Sequence, residues 1–469
     1  MTPRYVLAID NGSQSTKVHV VDADGVVHAS AQRPLQPYAY PVPGHVVHAG
    51  DDLWDSITAT CRAAIGAFAG DPSEIEAVGL CTIRFCRAYL DARGRLVEPV
   101  LSWMDERVSR AFEDRPEVAH VTTSSGYITV RMTGQLADTA ANYAGMWPLD
   151  PVTRRWSLDD TAYAATGMPR EKLFELVDPG SLLGRVTREA AGETGIPEGT
   201  PVFATANDKA VEALGAGVDS ETVLLSLGTY IAAMTSGTEP HASSPDYWVN
   251  YASVPGGYLY ESNGVRRGMW TVSWVRDLLL PPGTDLPPGV APETVLDGEA
   301  VSVEPGCGGL FTLLDWLAPS DAPHRRGAFL GFDGTQGRAH LYRSVLEGIA
   351  LTMADNIERM EDALGLSYSS VVVTGGGARS DLMMHILADV LDRPTRRTGH
   401  VDAAGLGAAI CAAVGAGIHP TWHDAKAGMV RQGTEFTPEP GRVDAYVRAR
   451  AKYREIRHYT DGLFERLAQ

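Results

Sequence analysis

The chain has 469 residues, and its 40 Lys and Arg against 58 Asp and Glu leave a formal net charge of −18, which argues against nucleic acid or an anionic membrane as partner, since both are held by a basic face. With 44% hydrophobic and 21% charged residues it reads as a soluble globular protein, too long for one core, so two domains of roughly 200 residues each are expected. Five cysteines, at 61, 81, 86, 307 and 411, are odd in number and lack CxxC spacing, which sets aside a disulfide framework and a zinc site and reads as reduced thiols in a cytoplasmic protein.

The opening "MTPRYVLAID" runs into a strand pattern without the basic region, long apolar stretch or cleavage site of a leader, and no later stretch has the length of a membrane span. An apolar run from Tyr5 to Ile9 ends in Asp10 and the small polar turn "NGSQSTK"; Val18 to Val21, the Asp24-Gly25 turn, and Val26 and Val27 follow. These read as successive antiparallel strands. From Asp51 the period changes, and Trp54, Ile57, Cys61, Ala64, Ile65 and Phe68 fall on one helical face, with two aspartates in the first turn. Strand patterns return at Ile75 to Leu80 and Ala88 to Leu90. In "EPVLSWMDERVSR", Trp103, Asp105 and Arg107 then cluster at the end of an apolar run, where polar groups commonly face a cleft.

"ATANDKAVEALGAG", residues 204–217, places Asp208 and Lys209 in a run made otherwise almost entirely of small and apolar residues. Its residues alone allow two readings of Asp208, the N-cap of a helix from Lys209 to Leu214 or a working carboxylate. "TVLLSLGTYIAAMTS" then repeats the hairpin design of "YVLAIDNGSQSTKVHVVD" about 220 residues later, which suggests related domains facing each other across a cleft, with the boundary near Gly217. A long helix is predicted from Leu341, with Val345, Ile349, Met353, Ile357, Met360 and Leu364 on one face. In "SVVVTGGGARSDLMMHILADVLD" a strand from Val371 to Thr374 meets Gly375, Gly376 and Gly377 before a helix near Ser380. Such a turn is either simply tight or lets a ligand approach the backbone. Neither the Walker "GxxxxGK[ST]" nor the Rossmann "GxGxxG" pattern is present.

Taken together, these stretches resemble the FGGY carbohydrate kinases, the family of xylulokinase, glycerol kinase and ribulokinase, over nearly the whole chain. "AIDNGSQSTK" is similar to the family's first phosphate loop, "LSLGTY" to the second, and "TGGGARSDLMMHILADVL" to its adenosine motif. "GAFLGFDGTQGRAHLYRSVLEGIA" resembles the C-terminal signature, with Phe332 where an aliphatic residue is usual, and "DAAGLGAAICAAVGAG" also fits, with Asp402 where Glu is common. The resemblance implies an α/β fold of two actin-like, ribonuclease-H-like ATPase domains, residues 1–217 and 218–469, flanking a central cleft.

It also implies roles for individual residues. Asp208 matches the base that accepts the proton of the substrate hydroxyl, and Asp10 the carboxylate near Mg2+. Gly12, Ser13, Gln14, Ser15, Thr16 and Lys17, with Gly228 and Thr229 opposite, match the ATP phosphate sites; Gly375, Gly376, Gly377, Ala378 and Arg379 match the adenosine site. Arg84, Phe85, Trp103 and Asp105 fall on substrate-side positions, though Phe85 replaces an acid of glycerol kinase and can offer only an apolar wall. The alternative for Asp105 is a surface salt bridge with Arg107. The segment after Arg107 is short and lacks the family's "KxxW", and "PSD" stands where "GER" is usual, so one wall of the pocket is either missing or supplied by a partner subunit, as in a homodimer. Three functions remain open: a xylulokinase-like kinase of a ketose or polyol primary hydroxyl, a kinase of glycerol, a tetritol or a modified sugar, and a non-catalytic nucleotide-binding regulator. A carboxylate at 208 argues against the last.

Overall fold

In the computed structural model, which describes residues 4–143, 145–399 and 402–468, two mixed sheets each begin from a hairpin. The first has six strands in the spatial order Leu182–Arg185, Pro201–Ala204, Ile75–Thr82, Tyr5–Asn11, Ser15–Asp22, Val27–Pro34. Tyr5–Asn11 is buried along its whole length, as a strand covered on both faces must be. It pairs antiparallel with Ser15–Asp22 and parallel with Ile75–Thr82, and Val27–Pro34 continues the antiparallel run, as the alternating pattern predicts. One face of this sheet is covered by helix Asp52–Ala67, which buries Leu53, Trp54, Ile57, Cys61 and Ala64.

The second sheet has seven strands, ordered Tyr247–Tyr251, Tyr258–Ser262, Ile231–Gly237, Thr222–Leu227, Ser370–Thr374, Thr395–Thr398, Gln432–Phe436. Thr222–Leu227 is antiparallel to Ile231–Gly237 and parallel to Ser370–Thr374, repeating the arrangement around Tyr5–Asn11. Helix Arg338–Leu364 buries the predicted stripe from Val345 to Leu364 against it, beside helix Asp381–Leu391.

The sheets share a third apolar cluster, built where helices Asp208–Gly215 and Ala403–Gly415 cross on the second face of the first sheet. Here the small residues of "ATANDKAVEALGAG" acquire their reason. A Cβ on Gly215 would lie 1.9 Å from the Ala403 carbonyl oxygen, one on Gly407 1.9 Å from that of Val211, and one on Gly79 2.1 Å from that of Ala408. Backbone therefore meets backbone, a separation only glycine permits. All five cysteines are buried and unpaired. Among the described residues no helix is long and apolar enough to cross a membrane.

Candidate active site

The turns that close the two hairpins meet. In the first, Gly12 N–H donates to the Ser15 carbonyl at 3.1 Å, and Gln14 Nε2 reaches across to donate to Thr229 Oγ1 at 2.9 Å. Gly12, Ser13 and Gln14 line the turn. Ser15, Thr16 and Lys17 already belong to the next strand. Thr16 points inward, its hydroxyl accepting from Asn11 Nδ2 at 2.6 Å and pairing with Ser56 Oγ at 2.6 Å, while Ser15 Oγ accepts from Gln32. The hydroxyls of Ser15 and Thr16, expected at the phosphates, are thus already engaged within the first lobe.

Leu227 and Gly228 sit against the triple glycine, and Thr229 meets Gln14. Gly375 has φ +84°, and a Cβ there would meet the Leu227 carbonyl oxygen at 2.4 Å; one on Gly377 would meet Leu227 Cβ and Met269 Sδ at 2.9 Å. Gly376, by contrast, faces open space. Ala378 is buried and Arg379 exposed, and the helix expected near Ser380 begins at Asp381, capped by Ser380 through Met383 N–H.

Asp10 is buried at the end of its strand, with Lys17 directly across the ladder. Lys17 Nζ lies 3.1 Å from Asp10 Oδ2 and 3.2 Å from Asp402 Oδ1, and Asp402 Oδ2 is 2.9 Å from His19 Nε2. Burial, then the charge of Asp402, pushes the Asp10 carboxyl up to about 6 against the pull of Lys17. Asp402 is itself held below its ordinary value, because His19 and Lys17 outweigh its burial.

The helix after Asn207 begins one residue earlier than the pattern predicts. Asn207, not Asp208, is its cap, its side-chain oxygen accepting from Lys209 and Ala210 N–H at 3.1 Å each while its Nδ2 donates to the Ala141 carbonyl. Asn207 therefore takes the cap position that the sequence offered to Asp208, whose Oδ1 shares the Lys209 N–H at 2.9 Å. The Asp208 side chain, 25% exposed, has Arg84 Nε 3.7 Å from Oδ1. Burial raises the Asp208 carboxyl, opposed by Arg84 and Lys209. Lys209 is otherwise engaged, donating to Glu212 Oε2 and Ser226 Oγ at 2.8 and 3.0 Å.

Arg84, expected at the substrate, makes its closest contacts across the cleft. Its terminal nitrogens donate to both oxygens of Glu261 at 2.8 and 2.9 Å, and its guanidinium lies over the rings of Trp248 and Phe85, 4.5 and 5.2 Å from their centroids. Phe85 adopts φ +63°, a strained conformation for an aromatic residue, and its ring sits 5.6 Å from that of Trp248. With Trp103, half exposed, and Trp147 it lines a cavity of about 270 Å3.

Asp105 requires a correction. It is turned inward rather than toward a substrate, and its oxygens accept from Val46 N–H at 2.8 Å, Arg107 N–H and Nε at 2.9 Å, and Arg107 Nη2 at 2.8 Å. The Arg107 partner was foreseen, but the carboxylate is wholly buried rather than at the surface. The shortened segment that follows is anchored by buried Arg87, which donates to the carbonyls of Arg107, Val108 and Arg110. Sequence reasoning missed Glu261 and Trp248. The signal for Glu261 was available, as the lone acid in the apolar strand "YLYES", every residue of which is buried.

The sequence matches the N-terminal domain of the FGGY family of carbohydrate kinases over residues 5–117 and 112–215 and its C-terminal domain over 223–416. The uncharacterized sugar kinase YgcE of Escherichia coli (strain K12) is 41% identical over 99% of this chain and 96% of its own length. An autoinducer-2 kinase of Salmonella choleraesuis (strain SC-B67) is 27% identical over 98% and 96%. The crystal structure of xylulose kinase from Rhodospirillum rubrum superposes with a TM-score of 0.84 at 25% identity, covering 98% of this chain and all of that one. With both family domains matched in order and the two-lobed actin-like α/β fold in place, the chain belongs to the FGGY family of carbohydrate kinases and is an ATP-dependent sugar kinase.

Proposed function

We propose that the enzyme transfers the γ-phosphate of ATP to a primary hydroxyl of a ketose or polyol, xylulose being the preferred acceptor, with Asp208 as the base. One observation carries this reading: Asn207 does the capping, so the Asp208 carboxylate, a quarter exposed, faces Arg84 with the neighbouring Lys209 N–H as its hydrogen-bond donor. The hydroxyl proton passes to Asp208, the hydroxyl oxygen bonds to the γ-phosphorus, and the bond from that phosphorus to the bridging oxygen breaks, releasing ADP. Gly12, Ser13, Gln14 and Lys17 with Gly228 and Thr229 hold the phosphates, and Gly376 admits the adenosine. In this reading residues up to Gly217 carry acceptor and base, and those after it carry the nucleotide.

Among the described residues no cluster of three or more His, Cys, Asp or Glu could cage a metal ion. Asp10 and Asp402 nevertheless offer hard oxygen donors on either side of Lys17, a set that suits Mg2+ brought in on ATP phosphates. When bound, Mg2+ would neutralise charge on the transferred phosphate.

A second acceptor class, a modified sugar with an apolar portion, is favoured by the cavity behind Phe85, whose aromatic walls offer little to a hydroxyl. ADP release measured across pentuloses, hexuloses, pentitols, tetritols, glycerol and deoxy sugars separates the two. Turnover highest with a pentulose supports the first reading, and turnover confined to deoxy sugars supports the second. ATP hydrolysis that no polyol or sugar stimulates overturns both.

A further inference from the structure

Glu261 stands on the second sheet and Arg84 in the turn that follows strand Ile75–Thr82 of the first, 177 positions apart in sequence. The Glu261 side chain is fully buried and that of Arg84 only 11% exposed, so each charge depends on the other for compensation. The bidentate geometry fixes the guanidinium plane, and the rings of Trp248 and Phe85 back it. Fixed in that way, the guanidinium turns Nε toward Asp208. We propose that Glu261 is a positioning residue for the base: delivered from the opposite lobe, it pins Arg84 against Asp208 and offsets part of its charge, so that the base is oriented and of the right strength only when the lobes are together.

This assignment rests on Asp208 being the base. The charges around that carboxylate are Lys209 and Glu212 from its own helix, Arg84 from the first lobe, Asp10 from the strand beside it, and Glu261 and Tyr230 acting through Arg84 from the second lobe. Lys209 and Glu212 pair with each other at 2.8 Å. Lys209 also reaches Ser226 of the second lobe, but Arg84 is the cation that Glu261 grips directly, through both of its oxygens. Without the Glu261 charge, an unneutralised Arg84 draws Asp208 toward itself and makes it a weaker proton acceptor. Without Arg84 as well, burial dominates and the carboxyl titrates higher.

Single-turnover phosphoryl transfer as a function of pH, with the acceptor selected by the panel above, tests the inference. The rate falls as pH drops through the value at which Asp208 takes up a proton. In Glu261→Gln, which keeps shape and one acceptor, the maximal rate should fall about tenfold and that acidic limb should move down by about one pH unit. In the paired variant Arg84→Met with Glu261→Met, which removes both buried charges and keeps apolar packing, the limb should move up. Opposite shifts from the two variants are not expected of a pair that merely holds the lobes together. Thermal unfolding and ATP affinity, measured alongside, should stay near the parent values in the paired variant. A folded Glu261→Gln enzyme with the parental rate and limb overturns the inference, as does an unmoved limb in the paired variant. Near-parental rates in Asp208→Asn would instead overturn the base itself, which keeps the two failures apart.

Discussion

Asn207 caps the helix through two N–H groups, and the one bond Asp208 Oδ1 shares with it, from Lys209 N–H, is one an Asn side-chain oxygen can still accept. Asp208→Asn should unfold at nearly the parental temperature and keep its ATP affinity, while kcat falls at least ~100-fold, as expected on losing a general base. Calorimetry, nucleotide titration and kcat on one preparation check this, and near-parental kcat would remove Asp208 from the chemistry. Asp105 calls for the opposite pattern. Burial pushes its carboxyl up, but Arg107 and the Val46 N–H outweigh this and hold it below its ordinary value. A depressed carboxyl lends stability that is present above the unfolded-state value of about 3.9 and is lost as pH falls through the folded-state value. Asp105→Asn should therefore cost about 2 kcal/mol at pH 7 and less as the pH falls toward the folded-state value, with acceptor KM changed little, as denaturant titrations at neutral and acidic pH would show. A charge in a run of Ala and Gly stands out, so the sequence singled out Asp208, while its reading as a base came from the family resemblance. The sequence could not reveal where Asp105 points, since the Val46 donor lies 59 positions away, nor the match of Arg84 to Glu261 across 177 positions.

Among the local elements, the strand, glycine turn and helix from Ser370 to Leu391 were legible almost to the residue, because β-branched residues, glycines and a Ser cap follow one another without conflict. What the sequence could not distinguish is which of the three glycines is packed and which is open. Only contacts made in the fold separate them: Gly375 and Gly377 press on Leu227, and Gly376 presses on nothing. Gly376→Val should weaken ATP binding at least tenfold while leaving the unfolding temperature nearly unchanged. Gly375→Val, forced into a left-handed conformation against a carbonyl, should lower that temperature sharply. Thermal scans with and without nucleotide give both readings. The N-terminal hairpin was legible for a related reason, since Val18 and Val20 point inward while Lys17 and His19 lie toward the site.

The two lobes are joined by more than the covalent chain. Helix Ala403–Gly415, from the second half of the sequence, packs on the first sheet and against helix Asp208–Gly215 with glycine at the contact, so the halves share one core. The protein should unfold in a single calorimetric transition. Gly407→Val, which pushes the helices apart, should lower its midpoint by several degrees without splitting it in two, and a split would show that the lobes stand independently. Two related domains were readable from the repeated hairpins, but the shared core was not, because no periodicity records which sheet a helix will cover. The buried thiols turn this architecture into its own recorder. Cys61 and Cys86 sit in the first lobe's core, Cys81 and Cys411 in the shared one, and Cys307 in a small cluster of the second lobe. Burial also pushes the thiols up, that of Cys86 to about 12, so they are closed to a water-borne reagent and are not nucleophilic at neutral pH. A disulfide reagent should therefore stay colourless with the native enzyme. When the chain opens under mild denaturant, the order in which the five positions become labelled, read by mass spectrometry, reports which part yields first, without any introduced probe.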